Sequence, residues 1–182
     1  MKRITNYILD NRLCHYYILP MKNQNNHNLD DLDVKILTVL QEDGRMPNKE
    51  ISNRVGLVPS ATSERLKKLK ERGYIKSFET RLNTDKIGYG LVAFVFVRTN
   101  EMASGFQTGV ELAKIPEVQE VFNVAGEDCY LIKIRTKNTQ SLGQILRDKV
   151  GTIESVVHTR STIVMEAYKE TCKIPINGSA HH

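Results

Sequence analysis

From Leu29 the apolar residues fall at three- and four-residue spacing: Leu32, Ile36, Leu37 and Leu40. That is the stripe of an amphipathic helix. Asp30, Asp31 and Asp33 crowd its first turn, where the helix dipole favours acids, and Gly44 is placed to end it. A second helix is expected from Pro47 or Asn48, with Ile51 and Val55 on its inner face and Gly56 stopping it. A third is expected from Pro59 to Arg72, with Leu66 and Leu69 inside and Gly73 closing it. Ile75 to Leu82 then alternates apolar and polar residues, the period of a strand or short hairpin.

The second half switches between periods. Leu91 to Val97 is a continuous apolar run rich in Val and Phe and reads as a buried strand. Phe106, Val110, Leu112 and Ala113 suggest a helix ending before Pro116. Val118 to Val124 and Tyr130 to Ile134 read as strands joined tightly through Ala125-Gly126-Glu127-Asp128. Leu142, Ile145, Leu146 and Val150 mark another helix, closed by Gly151, and Ile153 to Ala167 supplies the last strand or strands. The order β-α-β-β-α-β is that of a ferredoxin-like split βαβ unit. The fold class expected is therefore α+β: an N-terminal winged helix-turn-helix and a C-terminal ferredoxin-like βαββαβ sandwich domain. The boundaries expected are an extension at 1–28, the helical domain at 29–82, a linker at 83–89, the sheet domain at 90–170 and a tail at 171–182. Residues 1–28 lack a clean period and end in the amide-rich run Asn23 to Asn28. Met21, just before that run, is a second candidate start. The final Gly178-Ser179-Ala180-His181-His182 resembles a purification tag.

Charge narrows the choice of partner. The net charge of the 182-residue chain is +5. The excess sits in residues 1–89, whereas residues 90–170 come to −1. An extended polyanion would meet the first half. Cys14, Cys129 and Cys172 are three cysteines at wide spacing, which gives neither a disulfide framework nor a zinc quartet. A reducing cytoplasm is the expected location. No run of about 18 apolar residues marks a membrane span, and Asn6, Asp10, Asn11 and Arg12 interrupt the only stretch that could serve as a signal peptide. No nucleophile motif, phosphate loop or metal cluster is present, so no cofactor is expected.

Three helices with the turn Val55-Gly56-Leu57-Val58 between the second and third form a helix-turn-helix. The third helix starts with small residues and ends with bases. Ser60 to Arg72 holds five Lys and Arg against two acids. Small side chains let a first turn enter the major groove, and long cations reach phosphates. Pro59, Ser60, Ala61, Ser63, Arg65 and Lys68 are the candidate DNA-contacting residues, with Arg65 and Lys68 on a face with Ala61. Taken alone, the basic helix could be an ordinary solvated face. The tri-helical unit followed by a wing-like segment favours double-stranded DNA.

Several of these residues also form a pattern seen elsewhere. Leu29-Asp30-x-x-Asp33-x-x-Ile36-Leu37, Gly44-Arg45, Glu50-Ile51, Val55-Gly56-Leu57 and Arg65-Leu66-x-x-Leu69-x-x-x-Gly73-Tyr74-Ile75 resemble the leucine-responsive and asparagine-synthetase regulators, the Lrp/AsnC or feast/famine family. The resemblance runs over about residues 29–170. It implies a transcription regulator of amino-acid or related metabolism, with a dimerising domain that binds a small effector, typically an amino acid. It also implies homodimers that assemble into tetramers, octamers or larger oligomers. Val58 and Thr62 depart from it, standing where a Ser or Thr cap and an apolar core residue are common.

The stretch from Val124 to Tyr130 resembles the family's glycine-to-aspartate effector loop. Gly126 permits close backbone approach, and Asp128 can accept from an ammonium group. With Tyr130, and with the hydroxyls of Thr159 and Ser161 from across an interface, they are the candidate effector-binding residues. The plainer reading is a turn made by Gly126 and capped by Asp128, with Tyr130 and Phe122 in a core or an interface. Cys129 reads as a small core hydrophobe and His158 as structural or exposed. Two other functions fit the fold: an architectural DNA-binding protein without an effector, and a small-molecule enzyme on a ferredoxin-like scaffold.

Overall fold

The computed structural model describes residues 29–101 and 106–176. The expectations for 1–28, for Met21 as a start and for the terminal tag lie outside them. The described chain forms two compact units: residues 29–83 with 167–176, and Thr84–Glu166.

The first unit is helical. α1 (Asp31–Glu42) begins where Asp30 caps it, the Asp30 carboxylate accepting from the Asp33 backbone N–H at 2.8 Å. This satisfies one of the N–H groups a helix leaves open at its start. α2 (Asn48–Val55) ends at Gly56, which adopts φ 75°, a left-handed conformation that glycine takes without a Cβ penalty. α3 (Pro59–Glu71) begins with Pro at its first position. Val58 before it supplies no side-chain cap, as expected of a valine there. Ile36, Leu37, Met46, Ile51, Val55 and Leu69 form the buried centre of this unit. Thr62 is also fully buried, and its hydroxyl donates to the Val58 carbonyl at 3.3 Å, so the polar atom in that apolar site is satisfied.

One expectation is corrected. Ile75 to Leu82 forms no strand among the described residues. The segment is instead irregular and largely exposed. Phe78 lies beneath the Lys70 ammonium, 4.9 Å from its ring centre. Residues 167–176 group with the helical unit. The Gln41 side-chain amide grips Ile174 from both sides, donating to its carbonyl at 3.0 Å and accepting from its N–H at 2.7 Å. Ile176 packs against the helical core. A two-bond amide clamp and one half-buried isoleucine hold this segment there.

The second unit is a four-stranded antiparallel sheet: β1 (Leu91–Thr99), β2 (Val118–Asn123), β3 (Tyr130–Thr136) and β4 (Val156–Ile163), in the order β2-β3-β1-β4. α4 (Gln107–Ala113) connects β1 to β2. α5 (Thr139–Ile145), extended by a π-helical turn over Leu146–Val150, connects β3 to β4. Both helices cover one face. Ala93, Val95 and Val97 of β1 pack there with Tyr130, Ile132 and Ile134 of β3 and with Leu112, Leu142, Ile145 and Val150. Cys129 packs at the margin of this cluster as a small hydrophobe. Phe94 and Phe96 alternate to the opposite face, beside Leu131 and Phe122 in the pairing register.

Glu101 ties the end of β1 to α4. It accepts from the Gln107 N–H at 2.8 Å, the Thr108 hydroxyl at 2.7 Å and the Tyr130 hydroxyl at 3.4 Å. Burial by itself would raise its carboxyl. The donors from Thr108, Gln107 and Tyr130 outweigh that and hold it below its ordinary 4.5. A depressed carboxylate stabilises above its unfolded pKa, and that contribution disappears as pH falls through the folded value. The difference in thermal midpoint between wild type and Glu101→Gln is therefore expected to be largest near neutral pH and to shrink on acidification below about 4.5. A pH-independent difference would show that the carboxylate charge is not what Glu101 contributes.

Candidate functional site

α3 is positioned by its buried side, Thr62 and Leu69, against α1 and α2. With 3.6 residues per turn, this leaves Ser60, Ser63, Glu64, Lys67 and Glu71 pointing outward, and all five are exposed. Pro59 and Ser60 lie at the exposed N-terminal end, Ala61 is half-buried on one flank, and Lys68 is exposed beyond it. The two acids are bridged along the helix, Glu64 to Lys68 at 2.7 Å and Glu71 to Lys67 at 3.8 Å. The Lys68 bond holds the Glu64 carboxyl below its usual range. On the other flank the Asn48 amide, from the first turn of α2, donates to the Ser63 hydroxyl at 3.1 Å.

Arg65, expected on the DNA side with Lys68 and Ala61, is instead turned toward α1. Its Nη1 reaches Asp30 at 2.6 Å and Asp33 at 2.7 Å. These two carboxylates raise the pKa of the guanidinium. For Asp30, burial would raise the carboxyl, but the Asp33 N–H and the Arg65 guanidinium outweigh it and leave the group lowered. Lys67 and Asn48 are the residues that sequence reasoning passed over. The helical wheel, centred on Thr62 rather than on the leucines alone, would have found Lys67. Asn48 required the fold.

The 124–130 loop lies at the end of the sheet. Gly126 takes φ 147°, and a Cβ built there would meet nothing within 4 Å. Its glycine is required by backbone conformation rather than by close approach. Asp128 is mostly buried, its side chain 16% exposed, and its carboxylate is met by Arg160 at 3.3 Å and Arg98 at 3.9 Å. Glu127 also bridges to Arg98, at 3.0 Å. Arg160 lies over the Phe96 ring at 4.2 Å. The remaining effector candidates do not join this group within one chain. Tyr130 is buried beneath Gly109 of α4. Thr159 and Ser161 pair with Val97 and Val95, which places them on the helix-covered side of the sheet. Arg98 and Arg160, opposite each other's neighbours on β1 and β4, were missed because their meeting depends on strand register. A separate cleft of about 740 Å³ opens beside α4, lined by Asn100, Glu101, Thr108, Lys149 and Ser155 among others, and holds none of the expected residues.

Comparison with known proteins decides the family. The family model described as Lrp/AsnC ligand binding domain matches residues 92–174, and the one described as winged helix-turn-helix DNA-binding matches 29–76. The chain is 40% identical over 148 residues to the HTH-type transcriptional regulator FL11 of Pyrococcus furiosus, covering 81% of this chain and 97% of that protein. It belongs to the Lrp/AsnC family of transcription regulators. The leucine-responsive regulatory protein of Escherichia coli K12 is another such relative, 33% identical over 163 residues, with 87% of this chain and 98% of that one covered. A transcriptional regulator of Neisseria meningitidis, solved as an L-Met complex, superposes with a TM-score of 0.77 at 32% identity, over 82% of this chain and 97% of its own. The winged helix-turn-helix and the ferredoxin-like domain are thus those of an Lrp/AsnC DNA-binding regulator. That these relatives are transcription regulators weighs against the enzyme reading. Among the described residues no helix is long and apolar enough to cross a membrane.

Proposed function

We propose that this Lrp/AsnC regulator meets duplex DNA through the outward face of α3, works in the cytoplasm, and answers to a free amino acid bound beside the 124–130 loop. The observation that carries the effector reading is Asp128 set between Arg98 and Arg160 at the end of the open sheet face. An α-amino acid brings one carboxylate and one ammonium. A carboxylate flanked by two guanidiniums offers a partner to each. The L-Met bound to the Neisseria meningitidis relative supports this choice of ligand class. Gly126 and Asp128 form the chain's own side of the site. Tyr130, Thr159 and Ser161 enter this reading only as parts of the supporting sheet or as contributions from a second copy.

The open sheet face is the natural dimer surface. Phe94, Phe96, Leu131 and Phe122 lie on it, and Phe122 is 46% exposed. Apolar surface of this kind seeks a partner, and a two-fold dimer presents two α3 helices to palindromic half-sites. Tetramers, octamers or larger assemblies would then be built from such dimers. A second reading, an architectural DNA-binding protein without an effector, is favoured by the pairing that Asp128 already has.

Thermal shift against the proteinogenic amino acids separates the two, because a ligand that binds only the folded state raises its stability. At least one amino acid is expected to raise the midpoint and to change DNA affinity by about 1–3 kcal/mol. Asp128→Ala is expected to remove both responses and to leave DNA affinity without ligand unchanged. A variant that responds as wild type does would place the effector elsewhere, and no response from wild type would favour the architectural reading.

A further inference from the structure

Two contacts fix how far α3 is rotated about its own axis. On one flank the single Nη1 of Arg65 joins two carboxylates, both anchored to the start of α1. Asp30 is the N-cap, with its other oxygen held by the Asp33 N–H, and Asp33 is a helical residue whose side chain is 11% exposed. On the other flank Asn48 of α2 holds Ser63. The start of α3 has no side-chain cap to do this work, since the valine side chain at position 58 has no polar atom. The buried Thr62 and Leu69 are compact and define depth more than rotation. A guanidinium bound to two fixed acceptors is by contrast directional. Base reading in the major groove depends on which side chains face the base edges, and a rotated helix presents different ones.

We infer that Arg65 is a positioning residue for sequence discrimination: clamped by Asp30 and Asp33, it sets the rotation of α3 and does not itself touch DNA. This rests on the reading that the outward face of α3 meets DNA. It predicts an effect on specificity that neither a phosphate contact nor a purely structural ion pair would have. A phosphate contact strengthens binding to any sequence and contributes to the salt slope. A purely structural pair changes stability alone.

The test uses the full chain and two duplexes, one selected by wild type from a random-sequence pool and one of mixed sequence. Affinities are measured over a salt series for wild type, Arg65→Gln, Arg65→Lys, Asp33→Asn, Asp30→Asn and Lys67→Ala. Arg65→Gln and Asp33→Asn are each expected to lower affinity for the selected duplex about tenfold, with little change on the mixed one and an unchanged salt slope. Combined, they are expected to do no more than either alone, as befits two ends of one contact. Arg65→Lys keeps a cation that can bridge both acids and is expected to retain most of the discrimination. Should Arg65→Gln fail to fold, Asp33→Asn and Asp30→Asn, at the half-exposed end, still read the same loss of ratio. Tighter binding by Asp33→Asn, or a salt slope reduced by about 0.9 in Arg65→Gln, would show that Arg65 reaches phosphate and overturn the inference. An unchanged selected-to-mixed ratio across folded variants would also overturn it. Lys67→Ala tests the underlying reading separately: if it alters neither affinity nor slope, the outward face of α3 is not the DNA surface, whatever Arg65 does.

Discussion

A glutamate in place of Ser63 is expected to weaken DNA binding by roughly 1–3 kcal/mol, the range of a lost contact in the major groove, with the added charge pushing toward the upper end. Ser63 is exposed on the outward face, where a carboxylate would face phosphates and base edges across a short distance. Folding should tolerate it. The hydroxyl back-bonds to the Pro59 carbonyl at 2.9 Å and accepts from the Asn48 amide at 3.1 Å, both exposed contacts outside the core, and glutamate is at least as good a helix former as serine. Circular dichroism confirms the fold and fluorescence anisotropy reads the affinity. A folded variant that binds as wild type does would move the DNA surface off this face.

Leu112→Ala is expected to remove about 2–5 kcal/mol of stability, the cost of truncating a buried leucine without full collapse of its site. Leu112 is completely buried in the cluster that joins α4 to Ile132, Val95 and Val97. α4 is a short helix, and Leu112 is its fully buried apolar anchor on the sheet. Because the sheet unit and the helical unit have separate cores, the loss should appear in the unfolding of the sheet unit while α1 to α3 keep their own transition. A change below about 1 kcal/mol would mean that neighbouring side chains refill the site, contrary to the close packing of such cores.

The elements with strong periods were legible in the sequence: α1 from its leucine and isoleucine stripe, α3 from Leu66 and Leu69, and β1 from its unbroken apolar run. Gly56 was legible as well, because the turn chemistry at a helix end is local. What escaped involved partners far apart in the chain. Arg65 sits 35 residues from Asp30, and the sequence offered no reason to choose those acids over phosphate. Gln41 and Ile174 are 133 residues apart. Arg98 and Arg160 meet Asp128 only once the register of β1 with β4 is fixed. The alternating segment after Gly73 misled because alternation states which residues could share a face, not whether a partner strand is there to bond them. In the effector set, Tyr130 opens β3, and Thr159 and Ser161 lie within β4. Yet the pleat sends them to the covered face, away from Asp128, and a register of two residues per repeat allows nothing else.

The salt dependence of DNA binding by Lys67→Ala tests the assignment of the DNA surface most directly. Lys67 is 75% exposed and loosely paired to Glu71, so it is free to neutralise a phosphate. If the outward face of α3 lies against the duplex, the plot of log affinity against log salt for the variant should be shallower than that of wild type by about 0.9. Parallel plots of equal affinity would contradict it.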